Sequence, residues 1–129
     1  MGSRRRRGRL SRSSDFERVY RQGRSRSNRW LVLHAFPRPG ADQPRLGVSV
    51  SRRVGGAVDR NRVKRLLREA FWREPGARAE GHDFVVVARP EARELAEREG
   101  LAGMRRALGE LLEEGDGAVV RERASGQAG

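Results

Sequence analysis

Arg60, Lys64 and Arg68 recur at i, i+4 and i+8 within AVDRNRVKRLLREAFWRE, residues 57 to 74. On a helix that spacing lines three cations along the axis, where they can follow a ladder of phosphates. Asn61 and Arg65 fall on the adjoining arc and add hydrogen bonds to sugars or bases. Arg62 projects elsewhere and meets a different backbone segment or water. Only Asp59 and Glu69 offset the row locally, whereas a helix that merely needs solubility mixes both signs on its outer face. Beside the cations, Val63, Leu66, Leu67, Ala70 and Phe71 recur at i, i+3, i+4, i+7 and i+8, which is one buried face. The chemistry offered is the binding of a polyanion.

Charge across the whole chain agrees. It holds 29 Lys and Arg against 17 Asp and Glu, a formal +12 in 129 residues. Residues 91 to 129 contain six basic and nine acidic side chains, so residues 1 to 90 carry +15. A field of that size calls for nucleic acid or an acidic membrane. A membrane-surface helix needs a broad apolar face of its own, but this apolar face is required by the core, so nucleic acid is preferred. Lys64 is the only lysine. That dominance of arginine suits guanidinium forks on phosphates and equally suits codon bias.

A catalyst needs a positioned acid, base or nucleophile. The Glu residues here lie on helix surfaces, each Asp adjoins a turn or cap, and no Ser, His and acid group into a recognisable framework. No catalytic residue is assigned. Cysteine is absent, and His34 and His82 lie far apart without metal-ligand spacing, so no metal site is assigned either. RVGGAVDRNRVK is not a phosphate-binding P-loop, because Lys64 lies inside the helix. No apolar segment follows MGSRRRRGRL and no long apolar run occurs elsewhere, which points to a cytoplasmic protein with no membrane contact.

These residues need a frame. Residues 1 to 12 contain six arginines and no acid, and read as a disordered basic tail. SSDFERVYRQG reads as a short helix, with Ser14 and Glu17 in a capping-box pattern and Gly23 at the stop. RWLVLHAF alternates as a strand, with Trp30, Val32, His34 and Phe36 on one face and Leu31, Leu33 and Ala35 on the other. RLGVSVS is a second strand, placing Leu46, Val48 and Val50 opposite Gly47, Ser49 and Ser51. A basic, flexible connection RRVGGA follows, in which Val54 ends a short strand. HDFVVVAR reads as a central strand covered on both faces. Glu91 to Glu114 is helical in pattern, weakened by Gly100 and Gly103. Residues 115 to 129 read as a disordered tail. The order helix, strands, helix, strand, helix indicates a single α+β domain over 13–114, built as a two-layer α/β sandwich.

The aromatic residues leave two readings open. Phe16, Tyr20 and Phe71 at helical spacing fill the core, or the rings beside the basic helix, with His34 and Val32 on one strand face, form a stacking platform for unpaired bases.

SRRVGGAVDRNRVKRLLREAF closely resembles the signature region of the protein subunit of bacterial ribonuclease P. SDFERVYRQG, RWLVLHAF, RLGVSVSRRVG and DFVVVARP resemble that family's first helix, first strand, next strand with its connection, and last strand. The likeness covers residues 9 to 114. It implies a sandwich with a β-α-β crossover of the rare left-handed kind, against the usual rule. It also implies a ribonucleoprotein endonuclease for tRNA processing, in which a catalytic RNA hydrolyses precursor tRNA using magnesium bound mainly by that RNA. The protein then binds the catalytic RNA and the single-stranded 5′ leader, with no protein partner required. The likeness places Arg60, Asn61, Arg62, Lys64, Arg65 and Arg68 at the RNA-contact positions and Arg52 and Arg53 at the basic pair before the helix. It places Phe16, Tyr20, Val32 and His34 in the leader cleft, His34 standing where an aromatic residue is expected. The competing reading is a structural RNA binder of ribosomal-protein type. A helix-turn-helix DNA binder is rejected, since the basic helix lies between strands.

Overall fold

Helical and alternating periodicity resolve into eight elements in the computed structural model, which describes residues 8–38, 43–74 and 81–113. In order they are β1 (Gly8–Arg9), α1 (Ser13–Gln22), β2 (Arg24–Ser27), β3 (Leu31–Pro37), β4 (Arg45–Val50), α2 (Ala57–Arg73), β5 (His82–Ala88) and α3 (Glu91–Glu113). The strands form one sheet in the order β1-β4-β5-β3-β2. β1, β4 and β5 run parallel, β3 is antiparallel to β5, and β2 is antiparallel to β3. β5 is central and buried on both sides from Asp83 to Val86, as its continuous apolar run requires. β4, α2 and β5 make a β-α-β unit.

The pleat divides the side chains between two faces. On one, Leu31, Leu33, Leu46, Val48, Phe84 and Val86 meet Val63, Leu67 and Phe71 of α2 and Met104 and Leu108 of α3. Leu67 and Phe71 are fully buried, and burial of such a side chain contributes about 1.5–3 kcal/mol. The other face carries a smaller cluster of Leu10, Val19 and Val85, with Phe16, Phe36 and Val87 against it. The sheet with α2 and α3 is therefore the expected α+β sandwich, and α1 crosses the opposite face.

Locally the chain departs from its sequence pattern in several places. α1 begins at Ser13 with Arg12 as N-cap and no side-chain cap bond, so Ser14 lies inside the first turn and no capping box forms. Gly23 does end the helix, its N–H donating to the Val19 carbonyl. The basic tail read over residues 1 to 12 does not hold for residues 8 to 10. Gly8 and Arg9 pair with Arg45 and Leu46, and Leu10 is buried, which extends the domain to residue 8. The tail readings for residues 1 to 7 and 115 to 129 lie outside the described residues.

β2 has the sequence RSRS and no apolar residue, yet it pairs along its length with β3. Asn28 locks the turn between them. Its Oδ1 accepts from the N–H groups of Trp30 and Leu31, and its Nδ2 donates to the Ala107 carbonyl and to Glu110 Oε1. Trp30 belongs to this turn, so it escapes the strand alternation and packs on the main core instead of beside Val32. Val54 sits in a turn, buried, with its N–H donating to Ser51. Gly100 takes φ 57° and ψ −140°, a conformation open to glycine, and breaks α3 into two helical segments. No helix among the described residues is long and apolar enough to cross a membrane.

Candidate nucleic-acid interface

α2 is anchored by its apolar stripe, and this fixes where its cations stand. At 100° per residue, Arg60, Lys64 and Arg68 flank the buried stripe, and Asn61 and Arg65 lie farther round. Burial follows that order: the first three and Arg62 are half-buried, while Asn61 and Arg65 are exposed. Arg52 and Arg53 are exposed in the turn after β4, where the Arg53 N–H donates to Ser51 Oγ.

The helix's two acids are engaged by arginines outside the row. Asp59 faces Arg93 of α3 at 4.0 Å, and Glu69 pairs with Arg73 at 2.8 Å. Arg52, Arg53, Arg60, Arg62, Lys64, Arg65 and Arg68 form no ion pair among the described residues. On α3 the arginines are matched: Arg98 with Glu94 at 3.1 Å, Arg106 with Glu99 at 2.6 Å, and Arg105 with Glu74 at 2.8 Å. Of these two helices, α2 therefore carries the uncompensated charge.

Arg9 and Trp72 join this surface, and neither was singled out in the sequence. With Arg65 and Arg68 they line a groove of about 410 Å³ between β1 and α2. Partial burial, and then the nearby Arg9 charge, push the Arg68 guanidinium below its ordinary value. The missed signal was Leu10, an apolar residue inside an arginine tract, which docks β1 and brings Arg9 in.

On the far face of the sheet the rings gather. Tyr20 and His34 meet edge to face with centroids 4.9 Å apart, and Phe16 lies 6.4 Å from Tyr20. The two readings left open by periodicity separate residue by residue. Phe71 fills the main core. Phe16 is half-buried over Gly47, where a Cβ would come within 2.5 Å of the ring. Tyr20 remains 38% exposed over the sheet. Val32 shares the His34 face two residues along β3, opposite Val87.

α1 is held in this position by charge as well as packing. Asp83 is fully buried and accepts from Arg45 at 2.9 and 2.8 Å and from Arg38 at 3.0 Å. Arg45 also reaches Asp15 of α1 at 3.6 Å. Burial alone would raise the Asp83 carboxyl, but the Arg45 and Arg38 bonds and charges outweigh it and hold the carboxyl below its ordinary range. Both acids read in the sequence as turn or cap residues; here they tie α1 to the sheet through Arg45. Among the described residues no three His, Cys, Asp or Glu side chains group to hold a metal ion, and the buried carboxylates of Asp83 and Glu74 are both held by guanidinium groups.

Comparison with known proteins agrees with this architecture. The sequence model of the family described as Ribonuclease P matches residues 5–112. The ribonuclease P protein component of Shouchella clausii is 46% identical over 91 residues, covering 70% of this chain and 75% of that protein. Its counterpart in Bacillus pumilus is 42% identical over 89 residues, with 69% and 75% covered. The RNase P protein of Staphylococcus aureus superposes with a TM-score of 0.74 at 31% identity, over 86% of this chain and 97% of that one. The RNase P protein from Thermotoga maritima gives 0.74 at 36%, over 86% and 100%. With a family model spanning most of its length and relatives of this similarity, the chain belongs to the ribonuclease P protein family.

Proposed function

We propose that this protein binds the catalytic RNA of ribonuclease P through α2 and the Arg52–Arg53 turn, and holds the 5′ leader of precursor tRNA in the cleft between α1 and the sheet. Cleavage then removes the leader and leaves the mature tRNA 5′ end. The observation that carries this reading is the pairing of two surfaces: a cation row without acidic partners, and an exposed ring over an open sheet face. The first suits a structured phosphate backbone, where Arg60, Lys64 and Arg68 position the RNA and Asn61, Arg62 and Arg65 add contacts. The second suits an unpaired strand, whose bases stack on Tyr20 and His34 while Phe16 and Val32 close the cleft.

The chemistry of hydrolysis is assigned to the RNA, which holds the magnesium ions. The protein contributes binding and orientation only, and the acids near the cleft, Asp15 and Asp83, serve as anchors for arginine. Tyr20→Ala tests the reading in the assembled holoenzyme. Loss of one stacking ring should weaken precursor tRNA binding by about five- to a hundred-fold, while mature tRNA, which has no leader, binds as before. A constant ratio of precursor to mature affinity in the folded variant refutes the cleft. Copurification with ribosomal RNA in place of one dedicated RNA would favour a ribosomal-type binder.

A further inference from the structure

Beyond the rings, the open sheet face carries a second set of groups. Register places Ser27, Val32, Val87 and Ser49 side by side on β2, β3, β5 and β4. The neighbouring row toward α1, from Ser25 through His34 and Val85 to Gly47, lies beneath Tyr20 and Phe16. The outer row is the more open of the two: Val87 touches the edge of the small cluster under α1, Val32, Val87 and Ser49 are half-buried, and Ser27 is exposed. Spanning four of the five strands at about 4.8 Å spacing, it has a length of roughly 14 Å, the width over which four-stranded sheets receive two or three bases. It is apolar in the middle, hydroxylated at both ends, and contains no cation. The Ser27 and Ser49 hydroxyls have no hydrogen-bond partner among the described residues.

We propose that Ser27 and Ser49 read ribose 2′-hydroxyls of a leader that crosses the strands along this row. The inference rests on the leader reading above and adds to it a direction and a sugar specificity. Guanidinium groups hold phosphates, which RNA and DNA share, so the basic turn at Arg52–Arg53 cannot distinguish the two. A serine hydroxyl both donates and accepts, as a ribose 2′-hydroxyl does. Val32 and Val87 between the serines offer apolar contact to the intervening sugar and base. A leader lying along the strands would meet only one of the two hydroxyls; a leader crossing them meets both.

The test compares precursor tRNAs carrying an all-ribose leader or a 2′-deoxy leader on the same tRNA body, bound to the assembled holoenzyme. Each hydroxyl pair contributes roughly two- to ten-fold in affinity, so the wild type should prefer the ribose leader by about four-fold or more. Ser27→Ala with Ser49→Ala should bring that ratio close to one by weakening the ribose leader alone. Ser49→Thr, which keeps the hydroxyl, should keep the preference. A wild-type ratio of one, or a preference unchanged in the double variant, overturns the proposal. Tyr20→Ala distinguishes this failure from failure of the cleft itself. If it weakens both leaders equally while the serine changes do nothing, only the ribose reading falls. If it weakens neither, the leader reading falls and takes this proposal with it.

Discussion

Replacing Arg60, Lys64 and Arg68 together with Gln should flatten the salt dependence of RNA binding without unfolding the protein. The three positions span eight residues of α2, about 12 Å at 1.5 Å per residue, so they can neutralise successive phosphates along one backbone. Gln retains much of each aliphatic stem, which matters because all three side chains are half-buried. At about 0.7–0.9 units of slope per phosphate contact, the variant loses roughly two to three units. Raising salt from about 0.1 to 0.3 M should then cost the wild type roughly ten-fold or more in affinity beyond what it costs the variant. The control is Arg93, Arg98 and Arg106 changed to Gln on α3, which removes the same formal charge from residues already paired with acids. Equilibrium binding of each protein to ribonuclease P RNA across a salt series reads the slopes. If both triple variants flatten equally, the overall field drives binding and the row has no special place. If neither does, α2 is not the contact.

Asp83→Asn should cost about 3 kcal/mol at neutral pH, the lower end for leaving a buried pair uncompensated because Arg38 and Arg45 keep some solvent; urea unfolding measures it. Because the folded Asp83 carboxyl lies below its unfolded value, its contribution is complete above an unfolded value of about 3.9 and is lost as pH falls through the folded one. The wild-type and variant stabilities should therefore stay apart at neutral pH and converge only in acid; a gap that survives in strong acid contradicts this. Gly47→Ala should drive a methyl into the Phe16 ring, 2.5 Å away, lowering stability by about 1–3 kcal/mol. Adding Phe16→Leu should recover part of that loss in thermal melting. No single Asp, Glu or His change that leaves fold and assembly intact should abolish turnover at high magnesium, and strict dependence on one carboxylate would return chemistry to the protein.

α2 and strands β3, β4 and β5 were legible because their apolar residues repeat at the period of the element they form. β1 and β2 were not, for opposite reasons. β2 is joined by backbone hydrogen bonds and by the adjacent Asn28, which reaches the distant Ala107, while its own side chains carry no alternation. β1 is two residues long and hides within an arginine tract, so only Leu10 marks it. The cations of α2 could be named in advance because one helix holds them all. Arg9 and Trp72 could not, since only the sheet brings β1 against α2. Two aromatic residues one turn apart stood out in the sequence, which alone left open which ring is held and which is exposed. That depends on Gly47, thirty-one positions from Phe16, and on a buried carboxylate on β5 that holds Arg45 and, through it, Asp15.

The matched arginines of α3 have a consequence for how the molecule approaches its partner. With one flank neutralised by its own glutamates and the other left bare, the protein is an electric dipole as well as a cation. In the field of a polyanion it turns before it touches, so fewer encounters arrive in the wrong orientation and salt acts strongly on the association rate.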